Sequence, residues 1–489
     1  MKIEEMQNGL KEMSKRQLKE NIAQIPNEID PQSIGAKLQK QVAIIAKRVE
    51  EKDDPKSKEI ASAILNDGTL IEMLYDKIKS ETSLAVYKNG KVETKKFLVV
   101  NGITMKPHAS EKDLLENNVV LFPSKPEEYE SQEKLIVEIQ TFINKYLAIS
   151  PFFERIASYY VLFSWIHDDF NELPYLRGLG DYGTGKSRLL QVVGSICYQP
   201  IFAGGATTVS PIFRILEKFK GTLMLDEADF KMSDATADII KILNCGFMKN
   251  MSILRSEANN KKSYDVRSFN VFGPKIIATR QLYEDSALES RMITEDMSLI
   301  PRRDDIPCNL PTSFWDEALM FRNKLLLFRF REKGKHPLNT KLSNPDIEPR
   351  LNQISLPLMS IIDNPAVLDE VKKYLEDYNE KIKSDRTLSY PYQILEAICN
   401  LLDKGTKQPS MEEIAGEFNK GLDLNEQKSA KKIGFLIRKV VNLKTERTSK
   451  GFVLSLENKD KIQKLRKRLG IPDSLYDVAE IELPEHSEL

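Results

Sequence analysis

The spacing of hydrophobic and polar positions changes several times along the chain, and each change predicts a different kind of element. Residues 1–75 have the spacing of charged helices. Within "IGAKLQKQVAIIAKRVEE", one helix face carries Leu38, Val42, Ile45 and Val49. Between residues 83 and 122, runs rich in β-branched residues flank Asn89-Gly90 and Asn101-Gly102, a pattern that predicts two β-hairpins. The first part of the chain is therefore expected to combine helices with strands.

The next segment, "FPSKPEEYES" at residues 122–131, carries two prolines and four charged residues and is typical of a linker. Two amphipathic helices follow, at about 131–149 and 151–168. Short apolar runs then alternate with helical patterns, which predicts a parallel sheet with crossover helices. A charged helical segment occupies 311–385, and a last compact unit at about 387–456 precedes a basic helix and an acidic tail.

One short stretch in the alternating region has the composition of a phosphate-binding loop. It fits G-x-x-x-x-G-K-[ST] and comprises Gly180, Asp181, Tyr182, Gly183, Thr184, Gly185, Lys186 and Ser187. The glycines allow a tight turn whose N–H groups face a β-phosphate, Lys186 would neutralise the β and γ oxygens, and Ser187 would bind Mg²⁺. Apolar residues at helical spacing follow, as the motif requires. The alternative is a glycine-rich surface turn.

A second stretch supplies the acidic half of a nucleotide site. In "GTLMLDEADF", residues 222–225 form a short apolar run that predicts a buried strand, and Asp226 and Glu227 follow it directly. Asp226 would hold Mg²⁺ through water, and Glu227 would polarise the attacking water. The alternative is an acidic loop after a core strand. The letters DEAD also occur in DEAD-box helicases, but the SAT and HRxGR-type motifs of those enzymes are absent.

The residues downstream identify a class of P-loop ATPase. A further apolar run, 272–278, ends at Thr279, and "DSALESR" ends at Arg291. Together with the two nucleotide motifs, this order resembles the AAA+ ATPases. The resemblance implies that Thr279 is the sensor 1 residue, although asparagine is commoner there, and that Arg291 is the arginine finger. Arg350, in "IEPRLNQISLPLMSII", resembles the sensor 2 arginine of the lid. The alternative for Arg291 is a surface or structural arginine, and for Arg350 it is an ordinary arginine at a helix N-terminus.

The segment before the sensor strand narrows the resemblance. "SILRSE" and "SYDVRSFNVFG" flank "ANNKK", which predicts two strands and a turn. This is similar to the pre-sensor-1 hairpin of AAA+ helicases, and residues 150–360 resemble minichromosome-maintenance-like helicases of plasmids and mobile elements. The resemblance implies that Asn260, Lys261 and Lys262 contact a nucleic-acid backbone in a central pore. An ordinary solvated turn is the alternative.

The last compact unit reads as three helices followed by two strands, an order that resembles a winged-helix domain. In the third helix, the spacing predicts that Ile433, Leu436, Ile437 and Val440 face inward. Its basic residues and those of the strands suit phosphate contacts, and we select Lys431, Lys432, Arg447 and Lys450 as candidates. Protein docking is the alternative for this unit.

Composition limits the remaining possibilities. The chain has 489 residues, and its 72 basic and 72 acidic residues leave no net charge, so nucleic acid would have to bind local patches. Four cysteines are scattered without a CxxC pair, which argues against a zinc site or a disulfide framework. Because no apolar run reaches the roughly 18 residues of a membrane span and the N-terminus is charged throughout, we expect a cytoplasmic protein without membrane contact.

These patterns predict an α/β fold in five parts. They are an N-terminal α+β domain (1–130), an AAA+ P-loop core with a parallel sheet (131–310), a helical lid (311–385), a winged-helix domain (386–456) and a basic helix with an acidic tail (457–489).

The leading functional hypothesis is an ATP- and Mg²⁺-dependent DNA translocase or helicase that forms a homo-oligomeric ring, a hexamer being the first expectation. Single-stranded DNA would pass through the pore, duplex DNA is a candidate ligand of the winged helix, and a primase or another replication protein is a candidate partner. One alternative is an AAA+ platform that binds ATP and recruits replication proteins without unwinding. Another is a protein remodeller.

Overall fold

The computed structural model describes residues 57–108, 112–204, 207–226, 234–258, 264–283, 285–301, 303–387, 389–423, 426–449 and 451–472. Helices and a parallel sheet make a mixed α/β structure. The helices expected before residue 57 and the acidic tail lie outside the described residues. So do the predicted site residues Glu227, Asn260, Lys261, Lys262 and Lys450.

The described chain begins with strands where the sequence analysis expected helix. Strands β1 (Ser57–Ile60), β2 (Ser62–Ile64) and β3 (Leu70–Asp76) occupy residues assigned to charged helices. That prediction is wrong for 57–75. The turn between β2 and β3 explains why, because Gly68 has a φ of 81° and its N–H donates to the Leu65 carbonyl oxygen. The Asn-Asp-Gly sequence at this position is typical of a tight turn between two strands and argues against a continuous helix.

Both predicted hairpins are confirmed. Strands β4 (Glu81–Lys88) and β5 (Lys91–Lys95) join through Asn89-Gly90, and β6 (Leu98–Val100) and β7 (Ile103–Pro107) join through Asn101-Gly102. In each turn both residues have positive φ, from 50° to 77°. Two left-handed residues give the backbone twist that a two-residue hairpin needs, and Asn-Gly is the pair that adopts it most easily.

A parallel sheet of five strands forms the centre of the molecule. Its order is β14-β8-β13-β10-β9, comprising β8 (Tyr175–Leu179), β9 (Ile201–Ala203), β10 (Leu223–Leu225), β13 (Lys275–Thr279) and β14 (Met292–Asp296). All neighbouring strands are parallel. The prediction of alternating strands and helices is therefore confirmed. Helices cover the sheet, so its strands read as short apolar runs.

The helices from residue 132 to the end of the predicted lid follow the expected segments, whereas the short first helix lies in the region predicted as hairpins. Between the hairpins and the sheet lie α1 (Lys112–Glu116), α2 (Gln132–Tyr146) and α3 (Pro151–Ile166). Crossover helices are α4 (Lys186–Gly194), α5 (Val209–Phe219), α6 (Asp234–Cys245) and the short α7 (Ser286–Glu289). After the sheet come α8 (Ser313–Glu332), α9 (Pro349–Met359) and α10 (Pro365–Thr387). No helix in the described ranges is long and apolar enough to cross a membrane.

The segment read as a linker packs against the rest of the molecule. It has no regular secondary structure, but Phe122 and Tyr129 are buried, and the Phe122 ring lies edge-on to Phe219 at 5.6 Å. The Ser124 N–H donates to Oδ1 of Asn323 in α8 at 2.9 Å. Prolines and charges predicted an irregular path correctly, but they did not reveal the aromatic residues that anchor it.

A buried ion cluster joins the N-terminal strands to the helices that pack around the central sheet, and we define it as Glu72, Asp168 and Arg329. The Arg329 guanidinium donates to Glu72 at 2.6 Å and to both Asp168 oxygens at 2.8 and 2.9 Å. Tyr198 donates its hydroxyl to the second Glu72 oxygen at 2.8 Å. Burial raises the pKa of Glu72, and Arg329 opposes that rise. Strand β3 is thereby fixed to α8.

The C-terminal unit, residues 389–472, has a hydrophobic core of its own. It contains α11 (Tyr390–Asp403), α12 (Met411–Phe418), α13 (Ala430–Leu436), the antiparallel pair β15 (Thr445–Thr448) and β16 (Gly451–Leu454), and α14 (Lys459–Leu469). The predicted order of three helices and two strands is present. Its assignment as a winged helix stays a prediction.

One residue of the third helix faces the opposite way from its prediction. Val440 is 48% exposed, whereas Val441 is buried. After α13 the chain continues as one π-helical segment, Ile437–Val441. Because a π turn holds more residues than an α turn, it moves the inward position along by one residue. The predictions for Ile433, Leu436 and Ile437 are confirmed, since all three are buried.

Candidate nucleotide site

The predicted phosphate loop joins the middle of the sheet to a helix. It leaves β8 at Gly180, and α4 begins at Lys186. Gly183 and Gly185 have φ angles of 76° and 94°, in the left-handed region where a side chain would be strained. Gly185 is also the N-cap of α4. The loop therefore ends with backbone N–H groups at a helix N-terminus, where the helix dipole favours an anion.

Side chains of the loop bind its own backbone. The Lys186 ammonium donates to the carbonyl oxygens of Gly180 and Asp181, at 2.6 Å each. Thr184 donates its hydroxyl to the same Asp181 oxygen at 2.9 Å. The Gly180 N–H donates to the Thr279 carbonyl oxygen at 3.1 Å, which ties the start of the loop to the neighbouring strand β13. These bonds hold the Lys186 ammonium directly over the loop.

A cavity of about 330 Å³ lies beside the loop and brings several predicted residues together. Its lining comprises Tyr182, Gly183, Thr184, Gly185, Lys186, Ser187, Arg188, Asp226 and Arg280. A lysine, a hydroxyl and a carboxylate thus share one space with a helix N-terminus. The lysine and the helix N-terminus suit the negative oxygens of a phosphate. Mg²⁺ is bound through one or two carboxylates and hydroxyls together with phosphate oxygens. The donor set fits a magnesium nucleotide.

The order of the strands explains which residues meet at this edge. Strand β13 lies between β8, which leads to the loop, and β10, which leads to Asp226. Because the carboxyl ends of parallel strands share one edge of a sheet, the residues at the end of β13 lie between the loop and the carboxylate. Those residues are Thr279 and Arg280.

Thr279 has a buried hydroxyl that makes no hydrogen bond within the described part of the chain. The residue is 1% exposed and does not itself line the cavity. Burying an unbonded hydroxyl costs about 1–3 kcal/mol, so proteins seldom retain one without a use. The end of β13 thus carries a hydrogen-bonding group without a partner among the described residues.

Arg280 is a site residue that sequence reasoning missed. Its guanidinium carbon lies 3.8 Å from the centroid of the Tyr182 ring, and both residues line the cavity. The signal was its place directly after Thr279, at the strand edge where the acidic and phosphate-binding motifs were already expected to meet. Nothing in local spacing separates it from other arginines of the chain.

Arg291 lies inside its own subunit. It is 5% exposed, and Nη1 donates to Asn244 Oδ1 and to the Ala287 carbonyl oxygen at 2.6 Å each. The guanidinium also lies 4.2 Å from the centroid of the Phe247 ring. Burial lowers the pKa of Arg291, and the nearby positive charge of Arg350 adds to the effect. A finger that reaches another subunit would have to leave these contacts.

Arg350 is not among the residues that line the loop cavity. Its Nη1 donates to the Ala287 carbonyl oxygen at 3.1 Å, and it lines a separate cavity of about 440 Å³ beside α7. The N-terminus of α9 therefore packs on the segment that carries Arg291. Arg350 therefore lies near Arg291 and does not line the cavity that contains Lys186.

A buried ion pair connects the Arg291 segment to the strand that leads to the loop. Arg177 in β8 is fully buried and pairs through both terminal nitrogens with the carboxylate of Glu289 in α7. Its Nε donates to Thr294 Oγ1 in β14 at 3.1 Å. Glu289 precedes Arg291 by two residues. The loop and the segment that carries Arg291 are thus linked through the neighbouring strands β8 and β14.

The predicted hairpin before the sensor strand is present. Strands β11 (Ile253–Ala258) and β12 (Tyr264–Phe269) pair in antiparallel register. The Arg255 guanidinium pairs with Asp238 and lies 4.2 Å from the centroid of the Phe213 ring, which fixes the base of the hairpin to α5 and α6. The tip, with its asparagines and lysines, lies outside the described residues.

The predicted nucleic-acid residues of the C-terminal unit that the structure describes are all exposed. Lys431 and Lys432 lie on α13, and Arg447 lies on β15. The structure brings them to the surface of one unit, as expected for phosphate contacts. Two exposed phenylalanines, Phe435 on α13 and Phe452 on β16, lie among these cations, and the sequence analysis did not select them.

Comparison with known proteins finds similar solved structures but no matching protein family. No protein-family profile and no curated protein sequence match the chain. The C-terminal region of NrS-1 is 13% identical over 78% of this chain and 96% of that chain, with a TM-score of 0.35. SCCmec type IV Cch, described as an active helicase, is 11% identical over 84% of this chain and 95% of that chain, with a TM-score of 0.33. The JCV helicase is 12% identical over 54% of this chain and 64% of that chain, with a TM-score of 0.22.

Proposed function

We propose that this chain is an ATPase of the AAA+ helicase type that moves along DNA during replication, in the manner of helicases of plasmids and mobile elements. One observation carries the proposal. Lys186, Ser187 and Asp226, which two separate motifs of the sequence nominated, line a single cavity at the carboxyl edge of the central sheet. This is the combination that binding and hydrolysis of a magnesium nucleotide requires.

In the proposed site each residue has a distinct task. Backbone N–H groups of the loop bind the β-phosphate, and Lys186 leaves the loop carbonyls to neutralise the β and γ oxygens. Ser187 and Asp226 hold Mg²⁺, which would spread the charge that develops on those oxygens. Glu227 follows Asp226 in the sequence and is assigned to orient the attacking water.

Two residues of the neighbouring strand complete the proposed site. The Thr279 hydroxyl, which is orphaned in the described structure, donates to the γ-phosphate or to the attacking water. Arg280 leaves the Tyr182 ring to contact the γ-phosphate, since both side chains line the same space as Lys186. Charge on the transferred group is then met from the loop and from the sensor strand together.

The experiment that tests the proposal measures ATP hydrolysis with and without single-stranded DNA. Wild-type protein should hydrolyse ATP, and DNA should stimulate it. The hairpin-tip variant Lys261→Ala with Lys262→Ala should keep the basal rate and lose the stimulation. Exposed lysines on β5 and the turn after it provide a matched control, Lys91→Ala with Lys96→Ala, which should behave as wild type. ATP turnover that DNA never changes would instead support an assembly platform.

Ring assembly has its own test. In a ring, Arg291 would act on the nucleotide of the neighbouring subunit, after its segment rearranges on assembly. Inactive Arg291→Ala subunits mixed with inactive Lys186→Ala subunits should then recover part of the activity, because some interfaces pair an intact arginine with an intact loop. If crosslinking shows co-assembly and every mixture stays inactive, Arg291 is a structural arginine of its own subunit.

A further inference from the structure

The exposed face of α13 and the segment after it combines positive charge with an aromatic ring. Lys431, Lys432, Arg438 and Lys439 are exposed, and Phe435 lies among them with 48% of its side chain exposed. The adjacent strand β16 presents Phe452, which is 47% exposed. Neither ring belongs to the hydrophobic core of the C-terminal unit. Both rings are therefore held in water without a packing role in the core.

Each of these rings has a cation at its face. The Lys432 ammonium lies 5.4 Å from the centroid of the Phe435 ring, and the Arg438 guanidinium carbon lies 5.7 Å from that of Phe452. Arg438 also donates to Thr445 Oγ1 at 3.2 Å, so it bridges the helix and the strands. The two ring–cation pairs are thus fixed relative to one another across the junction of helix and hairpin.

A third pair involves Tyr390 on α11, whose ring also stacks on Phe418 of the core with 6.2 Å between the ring centroids. Tyr390 is 47% exposed, and the Lys428 ammonium lies 5.7 Å from its ring centroid. The three cations follow the chain from just before α13 to just after it. We define the aromatic strip as Tyr390, Phe435 and Phe452 with these cations.

The charge around the strip is unbalanced. Among the described residues, Lys431, Lys432, Lys439 and Arg447 make no ion pair with a carboxylate. Lys444 is different, since it pairs with Glu457 at 2.6 Å. Unpaired cations beside open aromatic rings match a ligand that carries negative charge and flat apolar groups at regular intervals.

We infer that the aromatic strip binds unpaired nucleotides, with bases stacked on Phe435 and Phe452 and phosphates held by the neighbouring lysines and arginines. Single strands expose the faces of their bases, whereas a duplex offers proteins only base edges and phosphates. The duplex alternative would place Phe435 against a thymine methyl group, and it gives the exposed ring of Phe452 no contact. The inference rests on the proposed movement of this protein along DNA, and it assigns the binding of unpaired nucleotides to the C-terminal unit.

The test uses the full chain and three fluorescent probes of equal length: an oligothymidine strand, an abasic strand with the same phosphates, and a duplex. Wild-type protein should bind oligothymidine more tightly than the abasic strand. Phe435→Ala and Phe452→Ala should each weaken oligothymidine binding by roughly tenfold, because one base stacked on an aromatic ring contributes about that factor to the affinity. Neither variant should change binding to the abasic strand.

Val440→Ala is the matched control, since Val440 is an aliphatic residue on the same segment with the same 48% exposure. It should bind all three probes as wild type does. A strand containing 5-iododeoxyuridine should crosslink to Phe435 or Phe452, which mass spectrometry would identify and which separates this site from DNA contacts elsewhere.

Two outcomes would overturn the inference. Equal weakening of duplex and oligothymidine binding by the phenylalanine variants would assign the strip to duplex DNA. Unchanged binding to every probe, together with crosslinks elsewhere, would exclude it from DNA binding. Neither result depends on ATP hydrolysis, so a failure of the ATPase proposal would be visible separately as absent turnover in wild-type protein.

Discussion

Replacing Thr279 by valine tests the sensor assignment through stability as well as through activity. The substitution exchanges a hydroxyl for a methyl group of similar size. The Thr279 hydroxyl is buried without a partner among the described residues, and such a group costs about 1–3 kcal/mol. Thr279→Val should therefore raise the free energy of unfolding by about that amount in the absence of nucleotide. The same variant should hydrolyse ATP roughly ten- to a hundredfold more slowly, because it lacks a donor at the γ-phosphate.

Thr222 provides the control for this experiment. It is fully buried beside strand β10, and its hydroxyl donates to the Tyr198 carbonyl oxygen at 2.9 Å. That oxygen also accepts the Thr222 N–H at 2.9 Å, so it keeps one partner when the hydroxyl is removed. Thr222→Val should lower the free energy of unfolding by about 1 kcal/mol and leave hydrolysis unchanged.

Thermal unfolding without nucleotide and steady-state hydrolysis measure the two effects. The two variants should move the midpoint in opposite directions, by a few degrees in total for a protein of this size. A Thr279→Val protein that is destabilised as much as Thr222→Val would mean that the hydroxyl has a partner in the folded chain. Wild-type hydrolysis by Thr279→Val would remove the residue from the proposed site.

Four further results are expected. Lys186→Ala should abolish ATP binding in a titration with a fluorescent analogue, since no other lysine lines the described cavity. Glu227→Gln should bind ATP and fail to hydrolyse it, because an amide cannot activate water; wild-type turnover would reassign the residue. Arg280→Ala should lower the hydrolysis rate more than Tyr182→Ala does. Equal rates would mean that Arg280 only positions the Tyr182 side chain. Burial holds the pKa of His167 at about 4, below its ordinary 6.5, so the unfolded chain binds an extra proton between these values. The free energy of unfolding should fall by about 3 kcal/mol as the pH is lowered through this window, and His167→Gln should flatten that fall.

Features that depend on neighbouring residues in the chain were predictable from sequence. The two Asn-Gly turns and the glycines of the phosphate loop form as expected, and the local Ser-x-x-Glu sequence of Ser410 and Glu413 forms a capping box, with the Glu413 N–H donating to Ser410 Oγ at 3.2 Å. In each case the conformation is decided within about eight residues, by positive φ or by a side chain that reaches its own backbone.

Features that depend on distant residues were not predictable in the same way. Glu72 and Arg329 are 257 positions apart, and no periodicity marks either as buried. Arg280 became a site residue only once the strand order placed the end of β13 between the loop and Asp226. The exposed Val440 followed from a single π turn, which shifts a helix face without any change in hydrophobic pattern.

The buried ion cluster has a consequence for how this protein can be divided. A fragment starting at residue 131 would keep Arg329 and Asp168 but lose Glu72, and it would expose the apolar side of β3 that packs on the core, including Met73 and Leu74. Arg329 would keep its pair with Asp168, but the apolar surface that β3 covers would be exposed to water, at a cost of roughly 25 cal/mol for each Å². We therefore expect the strands before residue 108 and the central sheet with its helices to be stable only when they are expressed as one piece.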